Sequence, residues 1–78
     1  MLTLARTAPP RSHRGLRCLP LTDTRWRVVR ADGAVVGYLD ERPDGQWAVL
    51  RMTRDLRGFI ELDRRPGFAE AVDALRLA

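Results

Sequence analysis

From Arg25 onward, apolar and polar residues alternate in short runs that are separated by turn signals. Alternation with a period of two is typical of a strand that buries one face. Asp32-Gly33 and Pro43-Asp44-Gly45 are typical of tight turns, because Gly accepts positive φ angles and Pro presets φ. The alternating runs are residues 25–30, 34–39, 46–52 and 59–62. In succession they predict an antiparallel meander of three to four strands.

A glycine interrupts the second run at position 37. Gly inside a strand predicts a bulge or the close approach of an opposing side chain, with Trp26 or Trp47 as candidates for that side chain. We expect both tryptophans in the core, because each can bury a large apolar area in a small domain.

At the C-terminal end the period changes to that of an amphipathic helix. The apolar positions are spaced by three, four and seven residues: Phe68, Ala71, Val72 and Leu75. Pro66 is suited to the first helical position, where its missing N–H costs nothing. A helix of this length is marginal alone, so it must pack on the sheet. The predicted fold class is therefore α+β, with an antiparallel meander of three to four strands packed on one C-terminal helix.

Residues 1–22 show no periodicity and contain Pro9, Pro10 and Pro20. We therefore predict a basic flexible N-terminal arm at 1–22, followed by a small α+β domain at 23–78. An alternative is that the arm results from a start codon chosen too early. The formal net charge is +4. Residues 1–17 contain four Arg and no acid, while later Arg and acids balance, so the excess charge is expected in the arm.

Catalytic chemistry finds little support in the sequence. The lone His13 and the lone Cys18 both fall in the predicted arm, which would not hold them in a fixed geometry. The glycines are spread one per turn, so no phosphate-binding loop is expected. We expect a non-enzymatic protein with no cofactor and no metal. A single cysteine is typical of a reducing compartment and predicts a cytoplasmic location, and no apolar run is long enough to predict a membrane span.

Arginines near aromatic residues are the feature with the clearest functional meaning. All fourteen basic residues are Arg, which favours planar contacts with phosphate, although a GC-rich coding sequence is an alternative explanation. A three-stranded sheet can enter the DNA major groove and present such side chains. The candidate DNA-binding residues are Arg25, Arg27, Arg30, Arg51, Arg54, Arg57 and Trp47, and the four arginines of the basic arm would add phosphate contacts or reach into the minor groove. The alternative is a solvated face on which Asp residues neutralise the same arginines.

Three segments carry a resemblance to a known family: Gly45-Gln46-Trp47-Ala48-Val49, Gly58-Phe59, and Phe68-Ala69 with the alanines that follow. This part of the chain, about residues 45–75, resembles AP2-type domains and the amino-terminal three-stranded-sheet DNA-binding domains of integrases. The resemblance implies a sheet that reads the major groove. It implies that Trp47 and Arg51 contact DNA from the third strand, and Arg25 and Arg27 from the first.

A second hypothesis uses apolar residues on the sheet face that the helix leaves uncovered. These are Val36, Leu50, Met52, Ile60 and Leu62. A small domain rarely exposes such a stripe to water, so it would mark a protein partner or a homodimer. The two hypotheses predict different contact surfaces, arginines for DNA and aliphatic residues for a protein partner.

Overall fold

A computed structural model describes residues 9–77, and these residues form one six-stranded antiparallel sheet with a single helix across it. The strands are β1 (Arg11–His13), β2 (Leu16–Pro20), β3 (Arg25–Val29), β4 (Val35–Glu41), β5 (Trp47–Met52) and β6 (Phe59–Arg65), and the helix is α1 (Phe68–Arg76). Each strand pairs with its neighbour in sequence, so the sheet is a simple meander. The predicted α+β class is confirmed.

The first two strands correct the predicted strand count and the flexible arm. Arg14 and Gly15 both have positive φ and make the tight turn of a hairpin. β2 then pairs with β3, placing Cys18 opposite Val28. Leu16 and Cys18 are buried, which explains why this segment joins the sheet. Residues 1–8 of the predicted arm, with Arg6, lie outside the described residues.

The core lies between α1 and one face of the sheet. Phe68 makes edge-to-face contacts with Trp26 and Trp47, with ring centroids 5.6 and 5.2 Å apart. Ala71, Val72 and Leu75 of α1 are buried, as the helical spacing predicts. Pro66 lies outside the helix, because Gly67 is the N-cap and α1 begins at Phe68.

The absence of a side chain at Gly37 allows the helix to approach the sheet closely. A Cβ atom there would lie 2.5 Å from Cδ2 of Leu75, so the approaching side chain comes from α1 and not from a tryptophan. The pairing register also shifts beside it, since Val28 pairs with Gly37 and Val29 with Val35. The predicted bulge and the predicted close approach therefore both occur at this point.

The opposite face of the sheet has no helix, and we call it the open face. Tyr38, Ala48 and Leu50 are nevertheless buried on it. The guanidinium of Arg25 on β3 lies 4.4 Å from the ring centroid of Phe59 on β6, which also packs against Tyr38. On a flat sheet β3 and β6 would lie roughly 14 Å apart. The sheet is therefore curled, and the curl shields the centre of its open face.

Candidate nucleic-acid interface

The meander brings the β1–β2, β3–β4 and β5–β6 turns to one end of the sheet, because alternate turns of antiparallel strands share an end. The C-terminus of α1 reaches the same end, where Leu75 meets Gly37. We call this the arginine end. Its arginines are Arg14, Arg17, Arg30, Arg51, Arg54, Arg57 and Arg76. Its acids are Asp32, Asp55 and Asp73, which leaves a formal charge of +4.

Elsewhere in residues 9–77, seven acids slightly outnumber six arginines. The acids are Asp23, Asp40, Glu41, Asp44, Glu61, Asp63 and Glu70. Three of the arginines form close ion pairs, with N···O distances of 2.7 Å for Arg42–Asp40, 3.0 Å for Arg64–Glu61 and 2.7 Å for Arg65–Asp63. This separation of charge cannot be seen by counting charges along the sequence, because successive turns lie at opposite ends of the sheet.

Four residues of the arginine end lack an acidic partner within residues 9–77: Arg17, Arg51, Arg54 and Arg57. All four are exposed. Arg30 has only a solvated contact, with 3.9 Å between its Nε and Asp32 Oδ1, and such surface pairs contribute little. These guanidinium groups are thus available to an anionic ligand.

The β5–β6 turn, residues 53–58, holds two of these arginines in a hydrogen-bonded frame. The hydroxyl of Thr53 donates to Asp55 Oδ1 at 2.6 Å, and the backbone N–H of Arg57 donates to the same oxygen at 3.1 Å. The N–H of Gly58 donates to the Thr53 hydroxyl at 3.2 Å. The Thr53 hydrogen bond is the main reason why the pKa of Asp55 lies below its ordinary value. A fixed turn loses less conformational entropy when a ligand binds.

The structure distributes the predicted DNA-binding residues over three locations. Trp47 is buried against the helix and offers no ring to a base. Arg25 and Arg27 are partly buried on the open face. Only Arg30, Arg51, Arg54 and Arg57 lie together, and they do so at the arginine end.

Arg25 already has partners inside the protein. Its Nη2 lies 3.4 Å from Oδ2 of Asp40, whose side chain is only 7% exposed, and the Nη1 of Arg42 donates to that oxygen at 2.7 Å. Burial favours the protonated form of Asp40, but the hydrogen bond from Arg42 and the charge of Arg25 outweigh it, so the pKa of Asp40 is lowered. The contact with buried Asp40 indicates that Arg25 stabilises the fold, and its guanidinium is less available to a ligand.

Two side chains that were expected in the flexible arm, those of Arg11 and Cys18, instead pack within the fold. The guanidinium carbon of Arg11 lies 3.6 Å from the ring centroid of Phe68, a cation–π contact that ties β1 to α1. Burial raises the pKa of the Cys18 thiol, despite the charge of Arg11, and so disfavours the reactive thiolate. Across the described residues, no group of three or more His, Cys, Asp or Glu side chains is placed to hold a metal ion.

The apolar set proposed for a protein interface does not occupy one surface. Leu50 is buried and Met52 partly buried on the open face. Val36 packs against the helix-side core. Ile60 pairs with Arg51, and Ile60 and Leu62 are 52% and 44% exposed on the edge strand β6.

Arg14 and Arg17 belong to the arginine end of the folded sheet, although the sequence predicted them in a flexible arm that would only add phosphate contacts. The dipeptide Arg14-Gly15 was the available signal, since Gly after a polar residue between two short β-like runs is typical of a hairpin. Recognising that hairpin would have moved both arginines from an arm into the folded surface.

Comparisons with protein-family models, curated proteins and solved structures find no match to this chain. The resemblance to AP2-type and integrase domains therefore stays a prediction. Within residues 9–77, the structure contains no helix with the length and apolarity that a bilayer span requires.

Proposed function

We propose that this domain is a small non-enzymatic module that binds nucleic acid through its arginine end. The observation that carries the proposal is the set of four exposed arginines without an acidic partner at one end of the sheet, whereas four of the six arginines elsewhere in residues 9–77 form ion pairs. Phosphate is the ligand that such a group of guanidinium side chains favours, because each can make charge-assisted hydrogen bonds to it. The hydrogen-bonded β5–β6 turn supports it, because the turn fixes the backbone from which Arg54 and Arg57 extend.

The expected contact with nucleic acid then lies at the turns and not on the sheet face. Phosphate contacts supply affinity that is independent of sequence, so we expect modest sequence preference and a strong dependence on salt. Although the whole fold is nearly neutral, the +4 charge of this end would attract a polyanion and orient the protein on it.

A charge-matched pair of double variants tests the proposal. Fluorescence anisotropy with a labelled generic duplex and a labelled single strand should show binding that weakens steeply with salt. Arg54→Gln with Arg57→Gln should weaken binding and reduce the salt slope on duplex by about 1.8. Arg64→Gln with Arg65→Gln removes the same charge from outside the arginine end and should leave binding nearly unchanged. Equal losses in both variants, or no salt-sensitive binding by the wild type, would overturn the proposal.

The edge strand β6 favours a second candidate function, association with a protein partner or a second copy of the chain. β6 is seven residues long, its outer edge is unpaired within the described residues, and it exposes Ile60 and Leu62. However, it also carries four charged residues and a register shift near Leu62, features that protect edges from pairing. We therefore rank this function second. Light scattering over a concentration series would support it with a dimeric mass that Ile60→Lys abolishes; a monomeric mass throughout would exclude self-association.

A further inference from the structure

An apolar surface pocket lies beside the arginine end, where β4 and β5 separate. Their registered pairing runs from Glu41–Trp47 to Tyr38–Leu50, while both strands continue beyond it. The pocket has a volume of about 330 Å³. Its apolar lining residues are Val35, Val36, Tyr38, Met52 and Leu56, and Arg51 is the one charged lining residue. This size falls within the range of small-molecule sites.

Leu56 at this pocket has an unusual conformation. Its φ is +62°, in the left-handed region that a bulky residue seldom adopts, and it is 73% exposed. Gly or Asn would fit the same turn without the strain. The protein therefore keeps a strained leucine with most of its apolar surface in water. Strain of this kind is often retained at binding sites, where it positions a side chain for a ligand.

The surrounding charges restrict what the pocket can take. Arg51 lines it, and Arg54 and Arg57 lie on the same turn as Leu56. Both lack an acidic partner within residues 9–77, so the ligand should join an apolar group to a nearby anion. A nucleotide has this chemistry, because its base has apolar faces and its phosphate is charged. Inside a duplex those faces are stacked on neighbouring bases, whereas an unpaired base can leave the strand and enter a pocket.

We propose that this pocket accepts an unpaired base of a single-stranded nucleic acid whose phosphates contact the arginine end. The proposal rests on the proposed function and adds a ligand class, since it requires preference for single strands over duplex. Leu56 covers one side of the base, opposite the wall formed by β4 and β5. Arg51 lies between the base and the backbone.

Three probes of equal length test the proposal by fluorescence anisotropy: a labelled oligothymidine, the same sugar–phosphate strand without its bases, and a duplex. The wild type should bind oligothymidine at least about fivefold more tightly than the abasic strand. Leu56→Gly, which also relieves the positive φ, should lower that affinity toward the abasic value and leave abasic binding unchanged. Leu56→Asn keeps a side chain that tolerates this backbone and should behave in the same way.

Leu21→Gly is the control, because it removes an exposed leucine from a turn at the opposite end of the sheet. It should bind all three probes as the wild type does, and thermal unfolding should show that every variant is folded. Equal affinity of the wild type for oligothymidine and the abasic strand would overturn the base pocket, as would binding to duplex as tight as to oligothymidine. Both results leave the phosphate contacts of the proposed function intact. No salt-sensitive binding to any probe would overturn both proposals.

Discussion

The imidazole Nε2 of His13 lies 3.0 Å from the carboxylate Oδ1 of Asp73 and joins β1 to α1 across sixty residues of sequence. The Nε of Arg76 lies 3.3 Å from the same oxygen, and the Nε of Arg14 lies 3.8 Å from it. One carboxylate thus connects the first hairpin with the last turn of the helix. The first hairpin is fixed to the helix by side-chain contacts in addition to its backbone pairing with β3.

Asp73→Asn should reduce stability in a pH-dependent manner. Partial burial opposes ionisation of Asp73, but the hydrogen bonds with His13 and Arg76 outweigh it and lower the pKa. A lowered pKa in the folded state stabilises the protein at pH values above the unfolded pKa of about 3.9, and this contribution is lost as the pH falls through the folded pKa. Urea unfolding should therefore show a gap between wild type and variant at pH 6 that narrows toward pH 3. Asp23→Asn, at an exposed turn, is the control, and a gap that is constant with pH would contradict the assignment.

Leu16→Ala should destabilise the protein by roughly 2–4 kcal/mol, because it leaves a cavity in a core to which β2 contributes. Leu21→Ala, at an exposed position five residues later, should change the free energy of unfolding by no more than about 0.5 kcal/mol. Chemical denaturation followed by tryptophan fluorescence measures both. Similar small effects for the two variants would mean that residues 9–22 are an arm after all.

Gly37→Ala should cost about 1–3 kcal/mol, because the added methyl group would meet Leu75 and lie 3.0 Å from the backbone oxygen of Leu50. Combining it with Leu75→Ala should give less than the sum of the two single losses, since the shortened side chain removes part of the clash. A double-mutant cycle of unfolding free energies measures the coupling. Strict additivity would show that Leu75 does not determine the choice of Gly at position 37.

Cys18 should resist thiol reagents in the folded protein. The side chain is fully buried, and burial raises its pKa, so access and thiolate formation are both disfavoured near neutral pH. Reaction with Ellman's reagent at pH 7.5 should be slow in buffer and complete at once in guanidinium chloride. Rapid reaction in buffer would show that the packing of β2 in the core opens readily.

The sequence predicted the part of the fold in which local signals agree. β3 to β6 show clear alternation between glycine turns, and α1 shows the spacing of one buried stripe, so both were predicted near their observed bounds. β1 and β2 were missed because they are short, contain Pro20 and bury only Leu16 and Cys18. Their stability comes from packing under α1, which residues 9–22 alone do not reveal.

The candidate site was harder to predict because its members depend on the topology. Arg54 and Arg25 look equivalent in sequence, yet one lies on an exposed turn and the other pairs with a buried aspartate. Trp47 could be a core anchor or a DNA contact by its sequence position, and the helix packed over it makes it a core anchor. Arg17 and Arg57 are forty residues apart and share one end of the sheet only because the intervening hairpins reverse direction in turn.

Because the strands form a simple meander, the first, third and fifth connections lie at one end of the sheet, and the second and fourth lie at the other. Odd-numbered connections face the proposed ligand, and even-numbered ones lie a full strand length away, beside the start of the helix. A length change in an odd-numbered loop would therefore alter recognition while leaving the hydrophobic layer untouched, as loops held on a rigid scaffold permit. The β1–β2, β3–β4 and β5–β6 turns could therefore be exchanged together on this small sheet. The two turns at the opposite end would remain free to carry a label or a fused partner.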